Sequence, residues 1–426
     1  MIDHLLGRVH CGDNLAELKK LPDNCVDSVV CDPPYGLQFM GKNWDYDVPK
    51  VETWREVLRV LKPGGYLLSF FGTRTYHRGV IAIEDAGFEI RDQIGWCYGS
   101  GFPKSHDISK AIDREAGAER DKIKTPMGPT GNKYAKGLGD DRPWMKEAAE
   151  KGYHESAGNT PATAAAAAWK GWGTALKPAW EPICVARKPI SEDTIAANVL
   201  KHSTGAINID GCRVGTEARH NPSCKTDGGP AQVLTVGRET VGRWPANLIT
   251  DGSEEVLQAF PNAPGQQFAT GPKYGAKDSV NAYGDYAERE EFLPRGDSGS
   301  AARFFYTAKA SKWDRNEDCD NLEVKQSCGG GGMNNTEDDV CGKYGSIKVP
   351  SKNHHPTVKP TDLMQYLCRL VTPPNGIILD PYSGSGSTGK AALLECFRFI
   401  GYEREAEYCK IANARIANVK GQLKLF

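Results

Sequence analysis

Four consecutive residues, Asp32-Pro33-Pro34-Tyr35, close the apolar run Val26-Asp27-Ser28-Val29-Val30-Cys31. The run reads as a buried strand, and two prolines stop it abruptly. A carboxylate, a rigid turn with free carbonyls and an aromatic ring therefore stand at the carboxyl end of a strand, where open α/β sheets bind ligands. The set suits a flat, hydrogen-bonding substrate such as a nucleobase. Tyr35 can stack on the ring, while Asp32 and the Pro33 carbonyl accept hydrogens from an amino group.

A second chemical segment lies near the other end: Asp380-Pro381-Tyr382-Ser383-Gly384-Ser385-Gly386-Ser387-Thr388-Gly389-Lys390-Ala391. Gly384 to Lys390 has the spacing of a phosphate-binding loop, but Ala391 stands where such a loop needs Ser or Thr for magnesium. Asp380 would also set a negative charge beside a polyphosphate. A nucleotide triphosphatase is therefore disfavoured. A glycine loop also lets backbone approach a nucleoside closely. Asp380 can pair with a cationic amine, and Glu403, at the next strand end, can hold a ribose diol. A cofactor with an amino acid and a sulfonium in place of phosphates fits Asp380: S-adenosylmethionine.

These motifs need a scaffold of alternating strands and helices, and the pattern supplies one. Strands are predicted at 8–11, 26–31, 66–71, 88–97, 179–188, 377–380 and 399–402, with helices at 15–21, 51–61, 75–86, 360–371, 390–396 and 406–419. Residues 62–65, Lys-Pro-Gly-Gly, read as a stop. Strands separated by helices imply a parallel sheet. Between these blocks, 126–171 reads as a flexible insertion without its own core, and 191–345 as irregular.

The 426 residues allow two or three domains, and a net charge of −1 leaves any nucleic-acid surface to local patches. Thirteen scattered cysteines, no signal-peptide pattern and no membrane-length apolar run point to a cytoplasmic enzyme with reduced thiols. No cysteine follows a proline, so a covalent cytosine-C5 mechanism lacks its nucleophile. Cys319, Cys328, Cys341, His354 and His355 lack any C-x-x-C pair, which argues against zinc, and no metal is expected.

In this order the motifs resemble the DNA amino-methyltransferases. The match is closest to the circularly permuted β class of prophage-type adenine-N6 enzymes, where the catalytic motif precedes the cofactor motif. The resemblance rests on Gly12-Asp13, Asp32-Pro33-Pro34-Tyr35-Gly36, His355-Pro356-Thr357-Val358-Lys359-Pro360, Asp380 to Gly386 and Gly401-Tyr402-Glu403. The flanks Phe39 to Asp45, Gly101 to Ser105 and Leu176 to Ile183 add to it. It covers 1–110, 172–190 and 350–426, and implies a Rossmann-like α/β sheet assembled from both chain ends. The implied division is a catalytic half (1–125), the insertion (126–171), a return strand (172–190), a target-recognition region (191–345) and a cofactor half (346–426).

The resemblance also implies roles. Asp32, Pro33, Pro34 and Tyr35 would hold a flipped base. Asp13 would bind the cofactor's adenine amino group, and Glu403 its ribose. Asp380, Tyr382, Ser383, Gly384, Ser385 and Gly386 would hold its methionine part. Thr357 and Lys359 would lie near the cofactor carboxylate. Tyr382 stands where the family often has Phe. Lys42, Trp44, Lys104, Arg243, Trp244, Arg303 and Lys309 are candidate DNA contacts; the alternative is core aromatics with solvated charges. The expected substrate is adenine-N6 in double-stranded DNA, with cytosine-N4 the alternative, because the family more often places Ser at the Asp32 position for cytosine. A homodimer and a cognate restriction endonuclease are partners the class suggests.

Overall fold

The computed structural model describes residues 2–37, 45–101, 103, 105–126, 151–221, 224–225, 234–235, 238–264, 297–308, 319, 322, 325–328 and 348–423. Among them, nine strands form one sheet. In chain order these are β1 (Arg8–Cys11), β2 (Val26–Cys31), β3 (Leu61–Phe70), β4 (Glu89–Cys97), β5 (Trp180–Arg187), β6 (Leu248–Thr250), β7 (Tyr306–Thr307), β8 (Ile377–Asp380) and β9 (Arg398–Glu403). Across the sheet the order is β1-β9-β8-β2-β3-β5-β4-β6-β7. Every ladder is parallel except the two that flank β5. The sheet is thus built from both ends of the chain, as the resemblance implied.

Successive strand residues point to opposite faces, and both faces are covered. Val29 and Leu67 pack with Leu18, Trp54, Val57 and Ile83 of α1 (Asn14–Leu18), α2 (Val51–Val60) and α3 (Tyr76–Asp85). Their neighbours Val30 and Leu68 pack with Leu363, Leu367, Ala391 and Ile416 of α4 (Thr361–Val371), α5 (Ser387–Leu394) and α6 (Ala406–Leu423). All six residues of β2 are buried, and its apolar end Val29-Val30-Cys31 is what made the strand visible in the sequence.

Three expectations change. The stop at 62–65 is absorbed into β3: Gly64 takes φ +80, and Lys62 pairs with the buried Asp27 at 2.6 Å. Strand β5 runs antiparallel, which composition cannot reveal. The region 191–345 is more regular than its composition suggests. It holds a helix at Ile195–His202, a hairpin of Val214–Asn221 with Arg238–Arg243, and β6 and β7, which extend the central sheet. Strands of three and two residues are too short to show a period.

The chain divides into two compact units, 1–100 with 179–426, and 101–178. The second is wider than the expected insertion and has an organised centre. In it Asp113, 2% exposed, pairs with Arg120 at 2.6 Å and accepts the amides of Ala162 and Thr163. Residues 127–150 of the expected insertion lie outside the described part.

Candidate active site

Parallel pairing brings the two sequence motifs to one edge. Ile378 faces Ser28 and Leu379 faces Val29, so Asp380 and Asp32 emerge from neighbouring strand ends. On the other side of β8, Asp380 faces Gly401 and Glu403 faces Cys11, two residues before Asp13. Because β5 runs the opposite way, its beginning reaches this same edge, with Trp180 facing Cys97. That reversal delivers Glu181.

Four side chains close into a cluster there. The Tyr35 hydroxyl lies 2.8 Å from Asp32 Oδ1 and 3.1 Å from Glu181 Oε2. Lys359 Nζ lies 2.9 Å from Asp32 Oδ2, 3.0 Å from Glu181 Oε2 and 3.0 Å from the Tyr35 hydroxyl. It also sits over the Phe70 ring at 4.9 Å. Burial opposes the charge on Lys359, but Asp32 and Glu181 outweigh it and raise its pKa. Burial, then the same two carboxylates, pushes the Tyr35 hydroxyl well above the usual tyrosine range, so it stays a donor. The side chains of Asp32 and Glu181 are 21% and 20% exposed and that of Lys359 9%, so the ammonium is the more deeply buried partner of both carboxylates.

The turn carrying Tyr35 is held by Asp45, whose carboxylate accepts the amides of Tyr35, Gly36 and Leu37 at 2.7, 2.9 and 3.2 Å. Thr75 donates its hydroxyl to the Tyr35 carbonyl. Gly36 takes φ +67, a conformation a side chain would strain. Among the described residues none donates to the Pro33 carbonyl, which leaves it available to a substrate hydrogen.

The glycine loop is tied from several sides. Glu403 accepts the amides of Gly384 and Glu405, each at 2.8 Å. Ser383 donates its amide to the Tyr402 carbonyl and its hydroxyl to the Asp380 carbonyl. Arg415, fully buried, donates through one nitrogen to the Ser385 carbonyl and to the hydroxyls of Ser385 and Ser387. Gly386 takes φ +79, and a Cβ there would stand 2.9 Å from the Ala412 backbone. A Cβ on Gly384 would meet the His355 ring at 2.8 Å. Asp380 is 2% exposed, and its carboxyl is pushed up to about 7, chiefly by burial and also by Asp32 and Glu403, against hydrogen bonds from Thr388 and the Tyr382 amide. The Tyr382 hydroxyl is hydrogen-bonded by Asn14 and Thr53, so the extra oxygen relative to Phe has partners.

Lys359, expected near the cofactor carboxylate, lies in the Asp32 cluster. Thr357 is exposed, and its carbonyl bonds the His355 ring. Asp13 is exposed and caps α1 through the Ala16 amide. Arg243, with a side chain 7% exposed, pairs with Glu217 at 3.1 Å and Asp297 at 2.8 Å, and Arg303 bonds the carbonyls of Gly299, Ser300 and Ala263. Both arginines therefore tie loops together instead of presenting their charge. Trp244 is 65% exposed, with the Arg213 guanidinium 5.5 Å over its ring. Lys42, Trp44, Lys104 and Lys309 lie outside the described residues. Of the groups weighed for zinc, Cys319 is buried with Tyr408 and Ile411, and His354 pairs with Glu407.

Sequence reasoning missed Glu181, Asp45 and Arg415. Glu181 had a signal, a carboxylate at the start of a strong strand; its direction was the hidden part. Arg415 sits within a helix whose polar residues look solvent-facing.

Residues 26–414 match the family model described as DNA methylase, which takes in N6 and N4 types, and the chain belongs to that family. The Type II methyltransferase M.HindIII of Haemophilus influenzae is 25% identical over 243 residues, 47% of this chain and 64% of its own. The Type II methyltransferase M2.MboI of Moraxella bovis is 36% identical over 74 residues, 17% of this chain and 27% of its own. The chain thus spans less than two thirds of the length of these relatives. Among solved structures, the PvuII DNA methyltransferase, cytosine-N4-specific, aligns over 97% of this chain and 91% of its own, at 13% identity and a TM-score of 0.41.

Proposed function

We propose that this chain transfers a methyl group from S-adenosylmethionine to the N6 amino group of an adenine flipped out of double-stranded DNA. The observation that carries the reading is the placement of Asp32 and Asp380 at adjacent strand ends, one beside an aromatic turn and the other beside a glycine loop. The donor set suits this cofactor. Asp380 offers a carboxylate to a cationic amine, Glu403 lies one strand over for a diol, and Gly384 and Gly386 add no side chains to the loop. A polyphosphate would instead meet Asp380 head on, and Lys390, in the position of a phosphate-binding lysine, is 4% exposed within α5.

When bound, the cofactor supplies an electrophilic sulfonium methyl; the rest is positioning by the chain. An exocyclic amine is a weak nucleophile because its lone pair is delocalised into the ring. Asp32 and the Pro33 carbonyl accept its two hydrogens and favour a pyramidal nitrogen with a directed lone pair. The Tyr35 ring offers a stacking face that offsets part of the cost of unstacking the base, worth about 1–3 kcal/mol. Asp32 supports adenine over cytosine, since the resembled family more often uses Ser there for cytosine. We place target recognition in residues 191–345, and the motif order fits the circularly permuted β class.

The test is nucleoside mass spectrometry of DNA incubated with the protein and isotope-labelled S-adenosylmethionine. Labelled N6-methyladenine is expected. Labelled N4-methylcytosine would move the reading to the cytosine enzyme, and no labelled base would sink methyl transfer to DNA.

A further inference from the structure

We propose that Glu181 and Lys359 are positioning residues that hold Asp32 oriented as a hydrogen-bond acceptor. This rests on the methyl-transfer reading above.

Three observations converge. Lys359 Nζ reaches both Asp32 and Glu181 within 3.0 Å, so one ammonium bridges two carboxylates from different strand ends. Tyr35 donates on the other side, to Asp32 Oδ1. The segment bearing Lys359 also packs His355 against Gly384 of the glycine loop, so it is anchored at both motifs.

Asp32 and Glu181 share the Tyr35 hydroxyl and the Lys359 ammonium. The Lys359 ammonium ties Asp32 to Glu181, and Glu181 holds that ammonium from its far side. A carboxylate has about four acceptor positions. Lys359 and Tyr35 occupy one on each Asp32 oxygen, which orients the group and leaves positions for an amino hydrogen. Lys359, placed by resemblance at the cofactor carboxylate, works here on the acceptor of the base.

The experiment compares the parent chain with Glu181→Gln, Lys359→Met and the double variant. It reads cofactor dissociation constants by calorimetry, single-turnover methylation at saturating cofactor, and thermal melting. Both single variants should bind S-adenosylmethionine within threefold of the parent and methylate at least thirtyfold more slowly. The melting shifts of the singles should be non-additive in the double. A tenfold loss of cofactor affinity with a normal saturated rate would overturn the proposal and return Lys359 to the cofactor. Unchanged rates, or additive melting shifts, would overturn it equally. A parent chain that labels no DNA base would sink the reaction itself, and the melting cycle would still decide whether Glu181 and Lys359 act as a pair.

Discussion

Asp32 and Asp380 end neighbouring strands but sit in opposite electrostatic settings. Asp32 has a cation and a hydroxyl donor on its two oxygens; Asp380 is buried, and among the described residues no cation pairs with it. Their substitutions should therefore separate. Asp32→Ala should lower methylation by about 10²–10³-fold, the scale for losing one preorganised polar contact to the reacting group, and leave cofactor affinity within threefold. Calorimetry beside a turnover assay checks this, and joint loss of both would refute the division of roles. For Asp380 the sign follows from its rise from 3.8 to about 7. The unliganded protein favours the neutral acid, so ionising it costs stability progressively as pH rises through that window. A cationic amine uses the ionised form. Cofactor affinity should thus be full above pH 7 and fall about tenfold per unit below it, while Asp380→Asn should bind more weakly with a flattened profile.

At the scale of elements, the glycine loop works because a helix behind it donates a side chain. Arg415 of α6 is fully buried and satisfies three oxygens of the loop. Arg415→Met keeps most of the volume but strands those acceptors, at a cost of about 3 kcal/mol or more in urea unfolding. It should weaken cofactor binding about tenfold, and a variant with the parent's midpoint and affinity would show that the loop holds its shape unaided. Both strand ends and the loop were legible in the sequence, because apolar runs and prolines or glycines mark their boundaries. Arg415 was not, since a helical arginine spaced like its solvated neighbours gives no sign that it faces inward. The direction of β5 was hidden for a similar reason: an apolar run reads the same either way, yet only the reversed strand brings Glu181 to the site.

At the scale of the whole molecule, the first unit is held by a sheet whose neighbouring strands come from opposite ends of the chain. Leu379 and Ile400 share a buried cluster with Val29, Trp54 and Leu67. Each such large apolar side chain contributes about 1.5–3 kcal/mol on burial. A chain ending at residue 345 would expose β2 on one edge and uncover the face under α4, α5 and α6. It should show no cooperative melt by circular dichroism, and a sharp transition near the parent's would disprove this interdependence. The sequence by itself determined the local patterns: an acceptor-and-ring turn, a glycine loop behind an aspartate, and a glutamate at the next strand end, each written in consecutive residues. Tertiary structure decided which groups meet. Parallel pairing of β8 with β2 set Asp380 beside Asp32, and the reversal of β5 supplied Glu181. The packing of 353–360 drew Lys359 to the Asp32 turn, because a buried ammonium lies lowest in energy between two carboxylates, and no residue spacing records that distance.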